Sequence, residues 1–355
     1  MQQVEHSAFA ETRRRRTMTG KKPAVIGLAI LGLLAAGLTG IKLYNLHRYH
    51  LETESRMMMD TVVSIHALGP EKITLPAMDG AFGRMAEVDA RFNIHNPDSP
   101  IYAFNRFGTP ITDPEILGVV RFALDISRRS GGAFDITVSP LIDLWGFYED
   151  TPRLPAASDI AQRLDRIGHE HLVLHEDRLE KTRPDIRIDL GAIAKGYAIA
   201  QAVSVLKAHG VKSALVDAGG DVYALGKKGS RYWHVGIKGP RETKVLGYLE
   251  AEDTAVVGSG DYERFFTENG VRYHHIFDPR TGYPADGLSG ITLIAPDPTA
   301  ADGWATALFV LGPREGMRLA DTLADIEVVM VTTSGDILLS SGLRGDTLKT
   351  IPTTE

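Results

Sequence analysis

The chain has 355 residues, 43% hydrophobic and 24% charged, enough to bury a core and outside the range of a disordered polymer or a bare peptide module. Its formal charge of −6 leaves no basic excess to neutralise phosphates, which excludes a general DNA or RNA binder. Cysteine is absent, so disulfides, thiolate metal sites, iron–sulfur clusters and cysteine nucleophiles are excluded together, and any metal must sit on oxygen or imidazole.

The charge is unevenly placed. In residues 1–50, Arg13 to Arg16, Lys21, Lys22, Lys42 and Arg48 stand against Glu5 and Glu11, giving +6 and leaving −12 for the other 305 residues. Residues 1–22 read as a basic tail and 23–44 as an apolar span, uncharged from Pro23 to Gly40. At about 1.5 Å per residue, 18 to 22 residues make a helix of roughly 27 to 33 Å, the thickness of a bilayer core. The pattern predicts an uncleaved single-pass anchor in a bacterial inner membrane, with the basic tail cytoplasmic and the rest on the periplasmic side. A signal peptide cleaved near Ala35 to Gly37 is the alternative. No lipid-accepting cysteine follows, and TRRRRTM lacks the apolar residues of a twin-arginine signal.

Residues 45–55 read as a polar linker, and residues 56–355 as one folded domain that opens on a strand in MMMDTVVSIHAL. Helices are predicted over 75–92, 114–130 (after the capping Asp113), 158–167, 193–209, 300–310 and 313–323. Strands are predicted over 172–174, 185–189, 214–217, 233–237, 245–249, 255–257, 273–276, 290–294 and 327–331. Many short strands with unevenly spaced helices indicate an α+β fold rather than a doubly wound sheet.

Four segments place polar or glycine residues where structure alone prefers apolar ones. In GGAFDITVSPLIDLWGF (131–147), Asp135 either caps a Gly-Gly turn or has a functional partner. In IDLGAIAKGYAIAQAV (188–203), a strand ending at Asp189 turns into a helix near Ala192. Amide groups there suit phosphate, and a free carbonyl suits a hard cation. Lys195 lies in the first helical turn, against the helix dipole, either to meet an anion or simply as a snorkelling side chain. In YHHIFDPRTGYP (273–284), preceded by SGDYERF, adjacent histidines at a strand end put one imidazole on each face, beside a turn built on Asp278. In AADGWATALFVLG (300–312), Asp302 and Thr306 lie one helical turn apart. They form either an N-cap with a back-bonded threonine or part of an all-oxygen Mg²⁺ set.

In this order the segments resemble the ApbE family of FAD-dependent protein FMN transferases. MDTVVSI is similar to its opening Met-Gly-Thr strand, GGAFDITVSPLIDLWGF to its Phe-Asp-Ile-Thr-Val segment and IDLGAIAKGYA to its Asp-Leu-Gly-x-Ile-Ala-Lys-Gly segment. ALVDAGGDVYALG, HHIFDPRTGYP and the Asp-x-x-x-Thr of DGWATALFVLG complete a series over about residues 56–345. The resemblance implies an α+β, T-fold-related flavin-binding core and Mg²⁺-dependent transfer of FMN from FAD to a Ser or Thr hydroxyl, releasing AMP. It implies FAD contacts from Met59, His95, Ala133, Phe134, Asp135, Asp189, Lys195 and Phe277. Mg²⁺ would be held by the Ala192 carbonyl, Asp302 and Thr306. His275 aligns with the family's histidine and suits a general base, with Asp278 orienting it or its loop. Acceptors are expected among extracytoplasmic domains of membrane redox proteins. Two other readings are a Mg²⁺-dependent FAD pyrophosphatase and a non-catalytic membrane-tethered FAD carrier. Asp60 stands where the family has glycine, Gly258 where it has threonine, and Ala305 where some relatives carry an acid.

Overall fold

The computed structural model describes residues 31–38, 49–149, 151–241 and 245–343. The chain divides into two units, Met1–Arg48 and Tyr49–Glu355. In the first, α1 occupies residues 31–38, and the rest of the expected span over 23–44 lies outside the described residues. Among the described residues, no helix is long and apolar enough to cross a membrane.

The second unit is built on one antiparallel sheet whose spatial order follows the chain. Its strands are β1 (His50–Met58), β2 (Thr61–Gly69), β5 (Ala214–Ala218), β6 (Asp221–Leu225), β9 (Thr254–Gly260), β12 (Leu288–Ala295), β13 (Glu327–Thr332) and β14 (Ile337–Leu339). Each pairs antiparallel with the next. β2 alternates in burial, with Val63, Ile65 and Ala67 fully enclosed. β1 is a half-exposed edge strand. Six residues expected as linker, 50–55, therefore belong to the sheet, because an edge strand needs an apolar residue on one face only and HLETES carries too few to show the period.

The connections carry the other elements. Between β2 and β5 come α2 (Glu71–Phe92), α3 (Pro100–Phe107), α4 (Pro114–Arg129), α5 (Ser139–Trp145), α6 (Ala157–Leu164), the hairpin β3 (Leu172–Leu174) with β4 (Leu179–Lys181), and α7 (Gly191–Ala208). A hairpin of β7 (Trp233–Lys238) and β8 (Val245–Ala251) separates β6 from β9, and another of β10 (Phe265–Glu268) and β11 (Val271–His274) separates β9 from β12. Then α8 (Pro298–Ala320) joins β12 to β13, broken at Gly312, where the backbone leaves helical geometry.

α2, α7 and α8 cover one sheet face. α2 turns Ala77, Met78, Ala81, Phe82, Met85 and Val88 inward at helical spacing. Asp113 caps α4 by accepting from the Glu115 and Ile116 amides. Glu115 in turn binds Arg84 and Arg91 of α2 and Tyr197 of α7, tying three helices together through charge-assisted hydrogen bonds. On the opposite face the β7–β8 hairpin packs Trp233, Val235, Ile237 and Leu249 over Val222, Val256 and Val329. Residues 185–189 are not a strand. Their Ile188 backbone is instead clamped by Asn105, whose amide donates to the carbonyl and accepts from the N–H, both at 2.8 Å. This side-chain substitute for a ladder holds the segment extended in front of α7.

Candidate active site

α7 and α8 cross at Gly196. A Cβ there would lie 2.1 Å from the Pro298 carbonyl oxygen and 2.7 Å from the Asp302 Cβ, so only glycine permits the approach. At the crossing, the Gly196 N–H donates to Asp302 Oδ2 at 2.8 Å. In a regular helix that donor serves the Ala192 carbonyl, so Asp302 draws on the bond that would occupy it. Asp302 is buried, and Thr306 follows one turn later on α8. The N-cap of α8 is Asp297, which accepts from Thr299 N, so Asp302 is an interior helical carboxylate rather than a cap. Burial, with the Asp221 charge nearby and Lys195 opposing, pushes the Asp302 carboxyl up to about 7. A buried carboxylate, a hydroxyl and a first-turn carbonyl are hard oxygen donors of the kind Mg²⁺ accepts, so Asp302, Thr306 and Ala192 fit that ion.

Lys195 sits beside this set, with Nζ 2.5 Å from Asp221 Oδ2. Burial disfavours its charge, but Asp221, Asp302 and Glu263 together raise its pKa, so it stays cationic. The sequence suggested a cation awaiting an anionic ligand. The structure instead commits its ammonium to Asp221, a buried residue at the start of β6 whose Oδ1 accepts from Gly258 N at 3.1 Å. Asp221 was not anticipated, although an acid opening the otherwise apolar DVYAL was the available signal.

The expected residues of 131–147 take mixed positions. Ala133 and Phe134 have buried side chains in the main core, leaving their backbone for any ligand. The Asp135 carboxylate is satisfied internally: Oδ1 accepts from Thr137 N at 2.8 Å and Thr137 Oγ1 at 2.6 Å, and Oδ2 from His169 N at 2.8 Å and His169 Nδ1 at 3.2 Å. It organises the turn. The bond to Asp135 also raises the His169 pKa. Asp189 N donates to Ile136 O, joining this turn to the segment before α7. Asp189 accepts from Gly191 N at 2.7 Å and from the Tyr148 hydroxyl, and the Tyr148 ring meets His95 edge-on at 5.2 Å. His95, Tyr148 and Asp189 thus form one cluster, Tyr148 being its unanticipated member.

The two histidines divide as adjacent strand-end residues should. His274 is buried, with Nε2 2.9 Å from the Ala285 carbonyl. His275 is half-buried, and its Nδ1 is shut off from solvent without a hydrogen-bond partner. Desolvation, then the nearby His274, Arg264 and Lys195, lower its pKa to about 4, so it is neutral at physiological pH. Asp278 does not pair with it. Its carboxylate takes Arg280 Nε at 2.7 Å, the Arg280 terminal nitrogen at 2.8 Å and Arg280 N at 2.9 Å, which fixes the DPRTG turn. Phe277 is buried against Trp145 and Phe147, with ring centroids 5.6 and 5.8 Å away.

Met59 lies apart, in the two-residue turn of the β1–β2 hairpin. Met59 and Asp60 both have positive φ, 51° and 57°, as a primed hairpin turn requires. Met59 N donates to Asp89 at 3.2 Å, and Asp60 lies 3.8 Å from Arg264, whose carbonyl accepts from His275 N at 3.1 Å. The turn is thereby linked to the histidine side of the site.

The sequence profile of the ApbE family matches residues 59–330. A Klebsiella pneumoniae protein named FAD:protein FMN transferase is 35% identical over 250 residues, covering 68% of this chain and 77% of that protein. A Treponema pallidum protein of the same name is 30% identical over 303 residues, covering 79% and 84%. Among solved structures, the ApbE protein of Thermotoga maritima aligns with a TM-score of 0.77 at 31% identity over 82% of this chain and 98% of its own. The flavin transferase ApbE of Vibrio cholerae aligns at 0.75 and 29% identity over the same shares.

Proposed function

Because this chain belongs to the ApbE family, we propose that it is a transferase that moves FMN from FAD to a Ser or Thr hydroxyl of an acceptor protein, releasing AMP. The observation that carries the chemistry is the junction of Asp302, Gly196 and Ala192, an oxygen set beside the Lys195–Asp221 pair. Asp302, Thr306 and the Ala192 carbonyl would hold Mg²⁺, which when bound supplies Lewis-acid polarisation of a phosphoryl oxygen. Lys195, paired with Asp221, offsets part of the negative charge that Asp221, Asp302 and Glu263 place beside the oxygen set. The acceptor oxygen attacks the phosphorus of the FMN half, a new P–O bond forms and the bond to AMP breaks. His275, neutral at physiological pH, takes the hydroxyl proton. Asp278 acts one step back, holding the turn that carries Phe277 through Arg280. Met59, His95, Asp189 and the backbone at Ala133 to Asp135 would contact FAD.

The same reading places a membrane anchor over 23–44 and the catalytic unit on the extracytoplasmic side, where membrane redox proteins would offer acceptor hydroxyls. The basic cluster before an apolar run supports that orientation. The direct test is AMP release from FAD in the presence of an acceptor protein, with and without a chelator, with FMN on the acceptor read alongside. The reading expects release to stop with EDTA, return with Mg²⁺ and vanish in Asp302→Ala. Release indifferent to both treatments would contradict it.

A further inference from the structure

A cavity of about 360 Å³ opens beside the Asp189 segment and is lined by Asn105, Asp143, Arg163, Arg166, Asp185 and Arg187 among others. Its charges do not cancel locally. Asp143 is taken by Arg187, and Asp185 by Arg183, which binds it through two nitrogens at 3.1 and 2.8 Å. Arg163, in the last turn of α6, and Arg166, just beyond it, are left with no carboxylate within 4.0 Å among the described residues. Two guanidiniums without an ion pair within 4.0 Å, Arg166 only near enough to Asp185 to lower its pKa, are unusual in a concave wall of a chain carrying −12 beyond residue 50. Arginine presents a planar fork that binds carboxylates through two parallel hydrogen bonds. The cavity is also coupled to the catalytic segment. Asn105 lines it and clamps Ile188, one residue from Asp189 and one from Arg187.

We propose that this cleft is a docking site for an acidic segment of the polypeptide acceptor, with Arg163 and Arg166 receiving its carboxylates. The identity of the occupant rests on the transferase reading, because that reaction needs a second macromolecule beside FAD. A cavity of this size accepts a side chain or two, at the lower end of ordinary ligand pockets. Arginines in the wall also steer an acidic partner towards a domain whose overall charge would repel it.

The test is calorimetry on the full chain with a hexa-aspartate peptide, a hexa-asparagine peptide, inorganic phosphate and AMP as separate probes. The proposal expects hexa-aspartate to bind, hexa-asparagine not to, and R163Q/R166Q to weaken hexa-aspartate by about tenfold or more. R163K/R166K should retain part of the affinity, and Arg178→Gln, at a pair with Glu180 elsewhere, should change nothing. No hexa-aspartate binding, or equal binding to wild type and R163Q/R166Q, overturns the proposal. So does phosphate or AMP binding that depends on these arginines while the peptide is ignored, which would make the cleft a small-phosphate site. FMN transfer to an acceptor protein, read as AMP release together with labelled acceptor on the same preparations, separates the two ideas. Its absence in the wild type removes the transferase reading, whereas normal transfer with a failed peptide titration removes only the docking site.

Discussion

At the residue scale the site rests on side chains whose partners are already chosen. Lys195 and Asp221 show this most clearly: a carboxylate 2% exposed is held by one ammonium at 2.5 Å. Removing the cation leaves a buried charge without compensation, so Lys195→Met should destabilise the domain by about 3 kcal/mol. Adding Asp221→Asn should recover most of that, as read by denaturant midpoints. A single variant as stable as wild type would show that the pair contributes little. His275 gives a second prediction through its pH profile. Its acting form is the neutral imidazole, and with a pKa near 4 that form persists well below the 6.5 of a free histidine. With Mg²⁺ saturating, so that Asp302 is held as the carboxylate, transfer should therefore hold as pH falls through 6 and fail only as pH approaches about 4, while His275→Ala should cost roughly 10²- to 10⁴-fold at neutral pH. A fall centred near 6.5, or His275→Ala with full rate, contradicts the assignment. At Asp60 the residue scale also explains a departure. The position has φ of 57°, which glycine adopts without strain and aspartate tolerates better than most residues.

At the scale of elements, the crossing of α7 and α8 decides whether the oxygen donors meet. Gly196→Ala places a methyl within 2.1 Å of the Pro298 carbonyl oxygen, so the helices must separate. The expected result is a loss of about 1–3 kcal/mol of stability with loss of metal-dependent AMP release. An alanine variant that is stable and fully active would mean that the two helices need no such contact. Much of this element was legible: the apolar run of 193–209, the Asp189–Gly191 turn, and the Asp302–Thr306 spacing all stand as expected. What escaped depends on distant partners. Residues 185–189 read as a strand, but Ile188 bonds the Asn105 side chain, which lies 83 positions away, and Asp189 N bonds the Ile136 carbonyl. Asp135 has the composition of a site residue, yet its acceptors are filled by Thr137 and His169, and only the fold brings His169 there. β6 was missed because all five of its residues are buried, so it has no alternation to read.

At the scale of the whole molecule, the unit Tyr49–Glu355 carries its own sheet, helical layer and site residues, while α1 lies in the other unit. A chain begun at Tyr49 should fold with an unfolding midpoint close to that of the full chain and retain AMP release. A start at Arg56 removes six residues of β1 and should lower the midpoint measurably. Equal midpoints for both truncations would show that the edge strand contributes nothing. The composition also gains meaning at this scale. A domain at −12 that handles a pyrophosphate must concentrate cation where it is needed. With Lys195 committed to Asp221, that cation would fall to a metal bound at Asp302, while Arg163 and Arg166 stand in a separate cavity. The central claim is group transfer to protein, and mass spectrometry of extracytoplasmic domains of membrane redox proteins, incubated with the chain, FAD and Mg²⁺, tests it most directly. An FMN adduct on a Ser or Thr, formed together with AMP and absent with Asp302→Ala, is the predicted result. AMP and free FMN with every acceptor unlabelled would contradict it.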